Sequence, residues 1–339
     1  MNTLKCVART ALVGAAVVAV AGPALAEWKP DKPINIIVPW SAGGSTDQVT
    51  RVVAPILEKA LGTNVVVVNQ PGASGSIGTK AALDAPRDGY TWTANAIANN
   101  ATYSITGLVE NTSIDDYKIY LHVANVPVVS VNADAPYKDF GALLEALKTG
   151  NVTVGTAGVN SSGGMALAAL KEASGSDFTA RMVTYDGGNP AVIAAASGEV
   201  VATTQLAVEQ TEMIKAGKLR ALAVFSDEPL IVEGIDPVPP ITRWLPDMPI
   251  AKDYFGVFIP VGAPDEVYET VDRVWKDVVM KSPELAAYAS ERGAVFSPSY
   301  GEAARKVAMP VVIAEACARV TRGEAVVMPS EIGIDCPAQ

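Results

Sequence analysis

The chain has 339 residues, enough for two domains, and its 36 acidic residues outnumber 26 basic residues, which gives a formal net charge of −10. This acidic balance argues against nucleic acid and anionic membrane surfaces as partners, because both repel a negatively charged protein. It also means that an anionic ligand has to be captured by local dipoles, since the overall field of the protein repels it.

The N-terminal segment has the features of a secretory signal peptide. Lys5 and Arg9 precede an apolar stretch at 11–21, and the small-residue sequence Ala24-Leu25-Ala26 follows it. We therefore predict that residues 1–26 are a signal peptide cleaved after Ala26 and that the mature protein is periplasmic. The alternative is a retained N-terminal anchor, which the short apolar stretch disfavours.

Short runs of β-branched residues alternate with helical stretches after the signal peptide, which is typical of an α/β fold. The first block has predicted strands at 34–38, 65–68 and 90–94, with a helix between the first two that ends at Gly62. A second block repeats the scheme, with helices between predicted strands at 152–155, 181–185, 200–204 and 219–225. We therefore expect two small sheets.

The chain crosses twice between these two blocks. It leaves the first through the β-rich passage 126–132 and returns through the proline-rich segment 237–249. We therefore predict two lobes joined by a two-stranded hinge, each with a mainly parallel sheet flanked by helices. Lobe 1 is formed by residues 27–127 and 256–339, and lobe 2 by residues 128–255. Such a clamshell can close over a ligand, and we expect it to be a monomer.

Two glycine-rich loops in the first block each follow a predicted strand and open a helix. Such a loop presents unpaired backbone amides and the positive end of a helix dipole to an anion, outside the carboxyl ends of the strands. Two of them in neighbouring units predict one site for a carboxylate, whereas either loop alone is better explained as an ordinary tight turn. The candidate ligand-binding residues of these loops are Trp40, Ser41, Ala42, Gly43, Gly44, Ser45, Thr46, Asp47, Gly72, Ala73, Ser74, Gly75 and Ser76.

Outside these two loops, the sequence shows few further candidates for binding or catalysis. Asn95 follows a predicted strand and is a further candidate donor to a ligand oxygen. The sequence has neither a G-x-S-x-G elbow nor a P-loop, and its one histidine, His122, is interpreted as a surface or crossover residue. We therefore predict no catalytic residue, no metal and no cofactor, although acid–base chemistry by a pair of carboxylates stays formally open.

The cysteines allow one disulfide. Cys6 lies in the predicted signal peptide, whereas Cys317 and Cys336 remain in the mature chain and can pair in an oxidising compartment. Two free thiols fit the spacing equally well.

The sequence resembles the solute-binding proteins of tripartite tricarboxylate transporters, called TctC or Bug proteins, over nearly the whole mature chain. The two most specific segments are Ile36-Ile37-Val38-Pro39-Trp40-Ser41-Ala42-Gly43-Gly44-Ser45-Thr46-Asp47 and Asn69-Gln70-Pro71-Gly72-Ala73-Ser74-Gly75-Ser76-Ile77-Gly78. Further similar segments lie at 86–91, 155–158, 185–188, 245–249 and 255–260.

The resemblance implies a periplasmic binding protein with a type II Venus-flytrap fold that passes a small di-, tri- or aromatic carboxylate to membrane permease subunits. It implies that one carboxylate is held by backbone amides of 40–46 and 71–78. The rest of the ligand would meet residues of lobe 2, which are Thr156, Ala157, Ser161, Ser162 and Asp186.

The sequence departs from the family pattern at 197–201, at Ile250 and at Ser76, which leaves the group at the far end of the ligand open. Two alternative functions remain: a sensor that presents its ligand to a membrane receptor kinase, and an exported enzyme that processes carboxylates.

Overall fold

The computed structural model describes residues 28–150, 152–175, 178–250 and 252–337. The predicted signal peptide and its cleavage site lie outside the described residues. Within the described ranges, no helix is both long and apolar enough to cross a membrane.

The described residues form two sheets flanked by helices. The strands are β1 (Ile34–Val38), β2 (Val65–Asn69), β3 (Thr91–Ala96), β4 (Tyr117–Asn125), β5 (Val128–Asn132), β6 (Thr153–Thr156), β7 (Arg181–Thr184), β8 (Ala202–Thr203), β9 (Leu219–Val224), β10 (Asp253–Pro260) and β11 (Val295–Tyr300). The helices are α1 (Ser45–Leu61), α2 (Ser76–Asp84), α3 (Ile97–Thr102), α4 (Phe140–Thr149), α5 (Ser162–Ser174), α6 (Gly188–Ser197), α7 (Ala207–Lys215), α8 (Asp265–Asp277), α9 (Pro283–Arg292) and α10 (Gly301–Thr321).

Lobe 1 contains a six-stranded sheet in the order β11-β4-β10-β3-β1-β2, and lobe 2 a five-stranded sheet in the order β7-β6-β8-β5-β9. The chain passes from lobe 1 to lobe 2 between Asn125 and Val128 and returns between Val224 and Asp253. The predicted two-lobed α/β fold is therefore confirmed.

The sheets are mixed, and the prediction that each is mainly parallel is wrong. In lobe 1, β1 is parallel to β2 and β3, but β10 runs antiparallel to β3 and β4, and β11 antiparallel to β4. In lobe 2, β6 is parallel to β7 and β8, whereas β5 is antiparallel to β8 and β9. The physical reason is the double crossing: β5 and β10 arrive from the other lobe and not through a βαβ crossover helix, which parallel neighbours require.

Strand β4 was not predicted, and it corrects the interpretation of His122. This nine-residue strand lies between β10 and β11 in the sheet of lobe 1. His122 is near its centre and is 1% exposed, so it is a core residue and not a surface or crossover residue.

Helix α1 is anchored to its sheet by residues spaced four apart. Val49, Val53 and Leu57 are fully buried and belong to the same core cluster as Ile36 and Val38 of β1. This spacing puts the three side chains on one helix face. The anchoring fixes the N-terminus of α1 at the carboxyl end of β1, where it faces lobe 2.

At the far end of the chain, Cys317 and Cys336 form a disulfide that joins α10 to the C-terminal tail, with the two Cα atoms 5.6 Å apart. Neither cysteine lines the cavity between the lobes that is described below.

Candidate functional site

The first glycine-rich loop, residues 40–47, lies directly against lobe 2. The Ser41 amide donates a hydrogen bond of 3.2 Å to the carbonyl of Asp186, which precedes α6. A Cβ atom at Gly187 would lie 2.1 Å from the Ser41 hydroxyl, so only glycine allows this approach. The two lobes are therefore in contact at this loop, and the cleft is closed.

Asp47 holds this loop in shape. Its carboxylate accepts hydrogen bonds from the Gly43 amide (2.9 Å), from Asn69 Nδ2 (2.9 Å) and from Arg51 Nε (3.0 Å). Burial alone would raise the pKa of Asp47. The pKa is nevertheless lowered overall, because Arg51, the Gly43 amide and Asn69 all stabilise the charged carboxylate. Asp47 thus turns back into its own loop, and Gly43, with a φ of +81°, uses a conformation that favours glycine.

A cavity of about 20 Å³, room for one water molecule, lies between the lobes at the start of α1. Six of the predicted site residues line it, three from each lobe: Trp40, Ser45, Thr46, Ala157, Ser161 and Ser162. Six further residues complete the lining: Asn99, Gly188, Gln205, Leu206, Glu209 and Phe255.

Glu209 is the main residue that sequence reasoning missed. Its carboxylate, carried by α7 of lobe 2, accepts hydrogen bonds from the Ser45 amide of lobe 1 (2.8 Å) and from the Leu206 amide (3.1 Å). Burial raises its pKa, and the amides and the Ser45 hydroxyl act against that effect. A glutamate at the third helical position often bonds to the amide before the helix, but that pattern gives no hint of a partner 164 residues away.

The second glycine-rich loop, residues 72–76, lies behind Trp40 and not on the cavity. A Cβ atom at Gly75 would lie 2.5 Å from the Tyr103 hydroxyl and 2.9 Å from the Trp40 ring. The Tyr103 hydroxyl in turn donates to the Ser74 carbonyl at 3.0 Å. The loop therefore packs against Trp40 of the cavity wall, and it also meets lobe 2, since a Cβ atom at Gly158 would lie 2.2 Å from the Ser74 hydroxyl.

The other predicted residues are placed around this wall. Asn95 accepts a 2.9 Å hydrogen bond from Trp40 Nε1 and fixes the indole. Thr156 is fully buried, and its hydroxyl accepts from the Gly158 amide at 3.2 Å. Ser161 caps α5 by accepting from the Gly164 amide at 3.0 Å. In this closed form the remaining candidates lie off the cavity lining: Ser41, Ala42, Gly43, Gly44, Asp47, Gly72, Ala73, Ser74, Ser76 and Asp186.

The arrangement is suited to binding an anion. The first-turn amides of an α-helix have no partner within the helix, and α1 directs this end at the cavity through Ser45 and Thr46. Within the described residues, no group of three or more histidine, cysteine, aspartate or glutamate side chains is placed to hold a metal ion.

Comparisons with known proteins agree with the two-lobed α/β fold. Residues 49–319 match the family model described as the tripartite tricarboxylate transporter family receptor. Protein BugT of Bordetella pertussis is 28% identical over 277 residues, which cover 80% of this chain and 84% of BugT. A solved structure described as a periplasmic transporter is 28% identical, with a TM-score of 0.75 over 86% of this chain and 97% of that one. The R. palustris protein Rpa4515, solved with adipate, is 23% identical, with a TM-score of 0.75 over 87% of this chain and 98% of that one.

Proposed function

The chain belongs to the receptor family of the tripartite tricarboxylate transporters, and from this premise we propose that it is a periplasmic solute-binding protein for a small carboxylate. In this proposal the two lobes close over the solute, and the closed form docks on membrane permease subunits that take the solute up. The two passages between the lobes, between Asn125 and Val128 and between Val224 and Asp253, act as the hinge.

The observation that carries the proposal is the hydrogen bond from the Ser45 amide to a carboxylate oxygen. It supports a cradle at the N-terminus of α1 that accepts a carboxylate with backbone donors, without a cationic side chain. A hydrogen bond to a charged group contributes roughly 1.5–3 kcal/mol, so a few such donors are compatible with a micromolar dissociation constant, about −8 kcal/mol. The negative protein can thus bind an anion locally.

The proposed site combines both lobes. Ser45 and Thr46 supply amides from lobe 1, and Trp40, fixed by Asn95, forms an apolar wall. Ala157 and the Ser161–Ser162 pair contribute from lobe 2. We assign the loop 72–76 the role of holding Trp40 in place, and Asp186 that of joining the lobes at Ser41.

A thermal-shift screen of the purified protein tests this function. Malate, succinate, citrate, adipate and benzoate are compared with the corresponding amides, which have the same shape but no charge. We expect a carboxylate to raise the melting temperature with increasing concentration, while its amide does not. Product analysis after incubation should recover the ligand unchanged, since no turnover is proposed.

Gly188→Ala is the variant that tests the position of the site. A Cβ atom there would lie 2.0 Å from Glu209 Oε1, at the place where a bound carboxylate is expected. The variant should fold, because alanine favours the helical backbone, but lose the ligand-induced shift. An equal shift in the variant, a shift caused equally by the amide, or conversion of the ligand would contradict the proposal.

A further inference from the structure

The anion cradle of this protein is already occupied by a side chain of the protein itself. Glu209 Oε1 accepts from the Ser45 amide of lobe 1, and Glu209 Oε2 accepts from the Leu206 amide of lobe 2. With the carboxylate in this place, the cavity holds about 20 Å³, which is too small for a dicarboxylate.

The surroundings of Glu209 are shaped for a carboxylate. A Cβ atom at Gly188 would lie 2.0 Å from Oε1 and 2.4 Å from Oε2, so the start of α6 leaves just the space that this group fills. The starts of α1, α6 and α7 converge on it, and the positive ends of helix dipoles stabilise a negative charge. These are the features expected of a site for a carboxylate of the solute.

We propose that Glu209 is a built-in competitor of the solute: its carboxylate fills the anion subsite and holds the lobes together when no solute is bound. The inference rests on the proposed function, since it assigns the subsite to the solute's own carboxylate. Two carboxylates cannot share one set of donors without strong repulsion, so the solute binds by replacing Glu209. Opening of the cleft makes this possible, because Ser45 and Glu209 lie on different lobes.

This assignment has two consequences. The ligand-free protein spends much of its time closed, and the open, binding-competent form is a minor population, which reduces the apparent affinity. Removing the competing charge should therefore favour the open form and strengthen solute binding.

Rescue of Glu209→Ala by acetate tests the inference without any knowledge of the natural ligand. Acetate supplies the missing carboxylate, so it should raise the melting temperature of the variant with a saturating dependence, at ionic strength held constant with chloride. The wild type should respond only at much higher acetate concentrations, because acetate must first displace the wild type's own Glu209 side chain from the subsite. Glu233→Ala, which removes an exposed carboxylate of lobe 2, is the matched control and should behave as the wild type does.

Glu209→Gln keeps the shape of the side chain and covers the case in which the alanine variant does not fold. Small-angle scattering should show a larger radius of gyration for the ligand-free glutamine variant than for the wild type. Adipate or malate, whichever binds the wild type, should bind the variant about tenfold more tightly, since a charge-assisted hydrogen bond no longer competes.

The outcomes separate the inference from the proposed function. Acetate rescue together with an expanded glutamine variant supports the inference even if no dicarboxylate binds, in which case the proposed function fails alone. If acetate has no effect on a folded alanine variant, or acts equally on the wild type, the inference is wrong. A glutamine variant with the radius of gyration of the wild type, or with weaker solute binding, also overturns it, since Glu209 would then be a structural or ligand-contacting residue.

Discussion

The Ser162 hydroxyl of lobe 2 donates a hydrogen bond of 2.5 Å to the carboxylate of Asp253, at the start of β10 in lobe 1. Asp253 is 7% exposed and lies in a second small cavity beside Lys252 and Glu315. Burial, with a further contribution from the charge of Glu315, raises the pKa of Asp253 to about 7, against the opposing effect of Ser162. A titrating group therefore sits where the chain returns from lobe 2 to lobe 1.

Asp253 should make the protein less stable as the pH rises toward neutrality. Its folded-state pKa lies above the ordinary value of 3.8, so its contribution to stability is complete below pH 3.8 and is lost as the pH rises through about 7. Asp253→Asn removes this dependence. From pH 5 to pH 8, the wild type should lose roughly 2–3 kcal/mol of unfolding free energy relative to the variant, measured by urea unfolding. The exposed Asp236→Asn variant is the control and should keep the pH dependence of the wild type. If the unfolding free energy of Asp253→Asn changes with pH as steeply as that of the wild type, the assignment is wrong.

His122 should act in the opposite direction. Within the described residues neither ring nitrogen has a hydrogen-bond partner, and burial lowers its pKa to about 3 from the ordinary 6.5. Its contribution is therefore present above pH 6.5 and is lost as the pH falls, because the unfolded chain takes up the proton first. From pH 8 to pH 5, the unfolding free energy of His122→Leu should therefore rise by about 2 kcal/mol relative to that of the wild type. A constant difference between the two unfolding free energies would show that the ring is solvated or paired in solution.

The burial of His122 could not be predicted from the sequence. Strand β4 carries the polar residues Lys118 and His122, so it lacks an unbroken apolar run such as the four valines of β2. Its burial depends on β10 and β11, which arrive from distant parts of the chain. A local pattern carries no information on such neighbours.

In the candidate site, too, local patterns could be predicted from the sequence, and contacts between distant residues could not. The first glycine-rich loop is a local strand–loop–helix pattern, and the structure has β1, this loop and α1 in that order. The position of the second loop depends on Trp40 and Tyr103, which pack against Gly75 and come from other parts of the chain. Glu209 was missed because its bond to Ser45 exists only when the two lobes are assembled and closed.

The disulfide should stabilise the fold without affecting the cleft. Cys317 and Cys336 are 19 residues apart, and closing a loop of this size stabilises a protein by about 3 kcal/mol in the chain-entropy description. The double variant Cys317→Ser, Cys336→Ser should lose up to this amount in urea unfolding and keep its affinity for the carboxylate. A reductant should lower the melting temperature of the wild type and leave that of the double variant unchanged. Loss of ligand binding in the folded double variant would contradict the separation of the two regions.

A double-mutant cycle tests the contact between Ser45 and Glu209 itself. Ser45 is the first residue of α1, a position that accepts proline, and Gly44 before it is extended, with φ −73° and ψ 169°, as a residue before proline should be. Ser45→Pro therefore removes the amide donor and keeps the helix, while Ser45→Ala keeps the amide and removes only the hydroxyl.

The cycle of Ser45→Pro with Glu209→Ala should show a coupling of about 1.5–3 kcal/mol in unfolding free energy, the usual contribution of a hydrogen bond to a charged group. The cycle of Ser45→Ala with Glu209→Ala measures how much of this coupling energy comes from the Ser45 hydroxyl. Additivity of the proline cycle within about 0.5 kcal/mol would mean that the two lobes do not meet through this bond in solution. A saturating carboxylate ligand should reduce the coupling, because a solute that replaces Glu209 takes over the Ser45 amide and leaves the glutamate without its partner in lobe 1.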